Sequence, residues 1–136
     1  MDHIFQQKIA SCLVNPRACH ETEITLAPVS KAKNLAVVGA GPAGLAFAVT
    51  AAQRGHRVTV FDAANEIGGQ FNLAKQIPGK EEFHETLRYF NTMLKKFSVQ
   101  LNLGKKVSAD DLIAGNFHEV ILATGIKPRI PKMSGI

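Results

Sequence analysis

The residues with the clearest chemical capacity are Gly39-Ala40-Gly41-Pro42-Ala43-Gly44, which lie between the apolar runs Leu35-Ala36-Val37-Val38 and Leu45-Ala46-Phe47-Ala48-Val49. A GxGxxG turn joining a strand to a helix is a cradle for a dinucleotide pyrophosphate. Gly39 allows the tight turn, Gly41 lets backbone approach the phosphates, and Gly44 lets helix and strand pack closely. The anion then rests on N–H groups at the helix N-terminus. Three further features agree with this chemistry. Asp62, eighteen residues beyond Gly44, ends an alternating run; an acid there accepts hydrogen bonds from ribose hydroxyls and repels a ribose phosphate, which argues against NADP at this site. Gly68-Gly69-Gln70 lets backbone approach a second part of the ligand and offers a side-chain amide to it. Ala123-Thr124-Gly125 ends another apolar run, where glycine again permits close approach.

These residues need a scaffold of parallel strands, and the pattern supplies one. Asn34 to Val38 reads as a strand, the helix after the turn runs to about Arg54, and Gly55 follows as its C-cap residue. Arg57-Val58-Thr59-Val60-Phe61 alternates as a second strand and completes a right-handed βαβ unit. Ala63 to Lys80 is a long loop carrying Gly68-Gly69 and Pro78-Gly79, and a loop of that length in a small domain is usually functional. From Glu81, the spacing of Phe83, Leu87, Phe90, Leu94 and Phe97 predicts an amphipathic helix, with acids at its start and Lys95-Lys96 at its end to suit the dipole. Val99 to Leu103 predicts a short strand, Asp110 to Ile113 a helical turn, and Glu119 to Ala123 a buried strand. The fold class is α/β: a Rossmann-like, three-layer dinucleotide-binding fold, truncated, with a small parallel sheet.

Composition narrows the remaining classes. The 136 residues, 46% of them hydrophobic, suffice for one core. No apolar run is long enough to span a membrane, and no signal peptide is visible, so a cytoplasmic location is the default expectation. Sixteen Lys and Arg against eleven Asp and Glu give a net charge of +5. The cations are scattered and no aromatic stripe accompanies them, so no nucleic-acid partner is expected. Cys12 and Cys19 match neither a CxxC pair nor a zinc ribbon. His20, His56, His84 and His118 lack metal-ligand spacing, and no serine or cysteine sits in a nucleophile setting, so no catalytic residue is assigned.

Taken together, Ser11-Cys12-Leu13-Val14-Asn15-Pro16, the glycine turn, Phe61-Asp62, Glu66-Ile67-Gly68-Gly69-Gln70-Phe71-Asn72, Ala74-Lys75-Gln76-Ile77-Pro78-Gly79-Lys80 and Ala123-Thr124-Gly125 resemble the bacterial NADPH-dependent 2,4-dienoyl-CoA reductases, iron–sulfur flavoproteins related to trimethylamine dehydrogenase. The likeness runs over essentially the whole chain. It implies an FAD domain of a larger enzyme in which electrons pass from NADPH to FAD, through a 4Fe-4S cluster to FMN, and on to an enoyl thioester in fatty acid β-oxidation. By this resemblance residues 1–33 are a leader beside the iron–sulfur region, 34–127 a partial FAD-binding domain, and 128–136 a linker toward an NADPH domain.

Residue by residue, the resemblance implies that Gly39, Gly41, Pro42, Ala43 and Gly44 hold the FAD pyrophosphate, and that Asp62 holds the ribose with Ala63 beside it. Gly69, Gln70 and Lys80 approach the ligand from the long loop, Val107 offers backbone to the adenine, and Ala123, Thr124 and Gly125 complete the site. Cys12 matches one cluster ligand, the others falling before Met1. The barrel and the NADPH domain are the implied partners, the chain alone is expected to be inactive, and a sheet edge without its partner strand is expected to support a homodimer. Two alternatives stand beside this reading: a stand-alone dinucleotide-binding or regulatory module, and part of a related amine dehydrogenase with ADP in the site.

Overall fold

A computed structural model describes residues 2–10, 12, 15, 17–127 and 129. After a one-turn helix α1 (Asp2–Phe5), the elements are β1 (Asn34–Val38), α2 (Pro42–Gln53), β2 (Arg57–Phe61), α3 (Phe71–Ala74), α4 (Phe83–Lys96), β3 (Gln100–Asn102), α5 (Ala109–Ala114) and β4 (Glu119–Leu122). The four strands form one sheet in the order β3-β2-β1-β4, every pair parallel. The α/β, Rossmann-like fold expected from the sequence is therefore the one observed.

The helices form where hydrophobic period and end signals agree. Helix α2 starts with Pro42 in its first turn, where a missing N–H costs nothing. It ends where the Gly55 N–H donates to the Ala52 carbonyl at 2.9 Å. Its buried residues Gly44, Leu45, Ala48, Val49 and Ala51 face the sheet. Helix α4 buries Leu87 and Leu94, with Phe90 and Phe97 packed against the core, as the spacing predicts. Leu45, Leu94, Val37 and Val60 are the largest fully buried side chains, and each stabilises the fold by about 1.5–3 kcal/mol. Helices α2 and α4 pack against each other, and α2 lies on β1 and β2.

The structure corrects three expectations. Strand β4 is not buried: Val120 is 42% and Leu122 74% exposed, because β4 lies at a sheet edge and pairs only with β1 among the described residues. The long loop contains the single turn α3, held by Ala74 N–H to Gln70 O and Lys75 N–H to Phe71 O. The leader is not uniformly irregular, since α1 opens it. Its far end is also tied down, with Val29 N–H donating to Arg54 O at 2.9 Å. Of Ser11 to Pro16 only Cys12 and Asn15 are described, and of the predicted linker 128–136 only Arg129; the rest lie outside the described residues.

Candidate functional site

Parallel register brings the predicted site residues to one end of the sheet. Val38 pairs with Phe61 on one side and Leu122 on the other, and Phe61 pairs with Asn102. The residues that follow, Gly39, Asp62, Leu103 and Ala123, therefore leave the sheet side by side. The chain order reverses at β1, whose neighbours are β2 and β4. In open α/β sheets the crevice outside the strand C-termini at such a reversal is where dinucleotides bind.

The glycine turn is packed tightly on two sides and open on the third. Gly39 has φ +113°, and a Cβ there would overlap the Ala123 carbonyl. The same contact region is laced by Gly39 N–H to Phe61 O and Ala123 N–H to Val38 O, both at 2.8 Å. At Gly44 a Cβ would overlap the Gly39 carbonyl, so only glycine lets α2 pack this closely on the turn. Gly41 differs: its backbone is extended (φ −75°, ψ 177°) and a Cβ would meet nothing within 4 Å. As N-cap of α2 it receives no side-chain cap, and the first-turn N–H groups that follow, those of Ala43 and Gly44, have no acceptor within the helix. Open space in front of such donors fits a pyrophosphate.

Asp62 is held by the protein before any ligand arrives. Its Oδ2 accepts from the buried Ala40 N–H at 2.6 Å and its Oδ1 from Ala64 N–H at 2.8 Å. Its backbone donates to Asn102 O and accepts from Lys105 N–H, each at 3.1 Å. Each carboxylate oxygen keeps a further lone pair, available to ribose hydroxyls on the half-exposed side. Ala63 follows, exposed. Sequence reasoning missed Ala40 and Ala64 as partners, because nothing in residue type marks a backbone donor.

The long loop closes over the turn. Gly68 N–H donates to Ala40 O at 2.8 Å, and a Cβ on Gly69 would lie 3.1 Å from Gly41 Cα. Gln70, expected to donate to a ligand, spends Nε2 on the Ile126 carbonyl at 3.2 Å; the second N–H of that amide remains for a ligand. This bond joins the long loop to the segment after β4, beside exposed Thr124 and Gly125. Val107 is half-buried two residues beyond Lys105, whose N–H reaches Asp62. Lys80 sits on an exposed turn with only local backbone bonds, its N–H to Ile77 O and its carbonyl to Phe83 N–H. The bonds and contacts described gather the glycine turn, Asp62, Gly69, Gln70 and Ala123 at one end of the sheet.

Cys12 is exposed and its Sγ accepts from Asn15 N–H at 3.4 Å. No group of three or more His, Cys, Asp and Glu able to hold a metal occurs among the described residues, so these residues alone do not fit an iron–sulfur cluster. No helix among them is long and apolar enough to cross a membrane.

Comparison with known proteins places this geometry among oxidoreductases. Residues 33–136 match the family described as pyridine nucleotide-disulphide oxidoreductase. The chain is 37% identical over 143 residues to a metal reductase of Desulforamulus reducens, covering all of this chain and 21% of that protein. It is 36% identical over 134 residues to a bilirubin reductase of Mediterraneibacter gnavus, covering 98% and 21%. It thus spans about a fifth of the length of these relatives. Among solved structures, a 2-naphthoyl-CoA reductase in complex with 2-naphthoyl-CoA superimposes with a TM-score of 0.91 at 36% identity, over 98% of this chain and 20% of that one. Histamine dehydrogenase from Rhizobium sp. 4-9 gives 0.82 at 25% identity, over 93% and 19%. With most of the chain matched and the glycine turn at the expected strand ends, it is a member of the pyridine nucleotide-disulphide oxidoreductase family and carries that family's FAD/NAD(P)-binding fold.

Proposed function

We propose that this chain is the FAD-binding portion of an NADPH-dependent flavoprotein of the 2,4-dienoyl-CoA reductase type. The observation that carries the reading is the open face of Gly41 at the N-terminus of α2, one strand from an acid fixed at the end of β2. Gly41, Ala43 and Gly44 would hold the pyrophosphate, Asp62 the adenosine ribose, and the segment around Val107 the adenine. Asp62 favours a ribose without phosphate, which suits FAD and leaves NADPH to a different site. Bound FAD would supply electron transfer from a reduced nicotinamide.

The protein's own contribution is positional. Ala40 N–H and Ala64 N–H aim the Asp62 carboxylate, while Gly68 and Gln70 anchor the loop that lies on the turn. The likeness to an acyl-CoA reductase supports a thioester substrate for the whole enzyme. With no group of three or more metal-holding side chains among the described residues, the part proposed for this chain's own residues is to hold FAD.

A second reading, an amine dehydrogenase with ADP in the site, draws support from the histamine dehydrogenase superposition and from 39% identity over 98 residues to an N,N-dimethylglycine/sarcosine dehydrogenase of Chromohalobacter salexigens. Calorimetric titration with FAD, ADP and NAD separates the two. The flavoprotein reading expects FAD to bind more tightly than ADP; ADP binding as tight as FAD favours the second, and binding of neither contradicts both.

A further inference from the structure

Two histidines far from the dinucleotide site grip the entrance of β1. The backbone N–H of Lys33 donates to Nδ1 of His56 at 3.1 Å, and that of Asn34 donates to Nδ1 of His118 at 3.0 Å. A backbone amide only donates, so each Nδ1 is a bare lone pair and each neutral ring carries its proton on Nε2. The rings reach β1 from opposite sides, because His56 directly precedes β2, His118 directly precedes β4, and these strands flank β1.

Backbone bonds complete the junction, Arg57 N–H to Lys33 O at 3.0 Å and His118 N–H to Asn34 O at 2.8 Å. The charged groups around it are mostly cationic. Lys33 is ion-paired with Glu119, Arg57 Nε donates to Asn34 Oδ1 at 2.6 Å, and Arg54 shares a cleft with Lys33, His56 and Glu119. The Lys33 ammonium, hydrogen-bonded to it, holds the Glu119 carboxyl below the usual carboxylate range.

We infer that His56 and His118 form an acid-released clamp on the entrance of β1. A proton added to either ring goes to Nδ1, removes the acceptor and sets N–H against N–H. Of the charged side chains named here, Glu119 is the one acid beside Lys33, Arg54 and Arg57. Proton binding and the clamp therefore exclude each other, so a proton on Nδ1 opens the clamp. Opening starts at the end of β1 opposite the glycine turn, so the first effect is on Lys33 and Asn34 and the dinucleotide site follows only on deeper loosening.

The test uses the full chain. Amide hydrogen exchange, corrected for intrinsic pH dependence, and imidazole ¹⁵N spectra are recorded from about pH 7.5 to about pH 5, the interval that brackets histidine titration. The clamp predicts that protection at Lys33 and Asn34 falls roughly tenfold per pH unit once the rings titrate, ahead of Ala36 and Val37. With His56→Asn and His118→Asn together, an amide oxygen replaces each Nδ1 and does not titrate, so protection at both positions becomes pH-independent. Equal pH slopes in parent and variant would overturn the inference. If the variant does not fold, the parent's spectra decide: a bare Nδ1 on both rings at about pH 7.5 supports the clamp, and a proton on either Nδ1 refutes it.

Discussion

Gly41 and Gly44 stand three residues apart and should fail in opposite ways. Gly41→Ala places its methyl in open space on an extended backbone. The fold should lose no more than about 0.5 kcal/mol in urea unfolding, while FAD binding should weaken about tenfold or more, 1.4 kcal/mol, because the methyl occupies the ligand's side of the turn. Gly44→Ala drives a methyl into the Gly39 carbonyl and should cost about 1–3 kcal/mol of stability before any ligand is added. Asp62→Ala combines both effects. It removes charged hydrogen bonds to ribose of about 1.5–3 kcal/mol, and it orphans the buried Ala40 N–H. A titration and an unfolding curve on each variant separate these outcomes. Spacing alone made the positions of the glycines, Asp62 and Ala123-Thr124-Gly125 legible, since each is local to one turn or one strand end. It did not reveal that Asp62 is gripped by Ala40 and Ala64, or that Gln70 reaches Ile126, because those bonds join segments far apart in the chain and use backbone atoms common to every residue.

The elements divide along the same line. Strand β2 and helix α4 were legible because each buries a periodic apolar face, and β1 and α2 because they are continuous apolar runs on either side of the glycine turn, both properties of the chain itself. The exposure of β4 was not, since an apolar run such as Val120-Ile121-Leu122 reads the same at a sheet centre and at an edge. Helix α5 has its own device: Ser108 and Asp111 form a capping box, with Asp111 N–H donating to Ser108 Oγ at 3.1 Å and Ser108 N–H donating to Asp111 Oδ2 at 2.9 Å. These bonds, with Lys105 nearby, hold the Asp111 carboxyl below the usual carboxylate range. A carboxyl lowered by folding contributes stability that is complete above its unfolded pKa and is lost as pH falls through the lower, folded one. Protection of the α5 amides, corrected for the intrinsic pH dependence of exchange, should therefore fall in acid in the parent and lose that pH dependence in Asp111→Asn. Ser108→Ala should cost about 1 kcal/mol at neutral pH in urea unfolding.

At the scale of the whole molecule, the chain is an FAD/NAD(P)-binding unit about a fifth as long as the oxidoreductases it matches. Its β4 edge presents exposed Leu122 and Val120 and pairs only with β1 among the described residues. An apolar edge of that kind recruits another strand, and we predict concentration-dependent dimerisation of the isolated chain in light scattering; a monomer at every concentration would count against it. No property of the sequence orders the four strands, and that order is what gathers the site at the reversal at β1. The central claim is that this gathered end cradles the FAD pyrophosphate. ¹H–¹⁵N spectra recorded during FAD titration test it most directly. The account predicts saturable shifts at Gly41, Ala43, Gly44, Asp62 and Gly69, with Lys33 and Asn34 at the opposite end of the sheet unmoved. Shifts confined to other surfaces, or none at all, would contradict it.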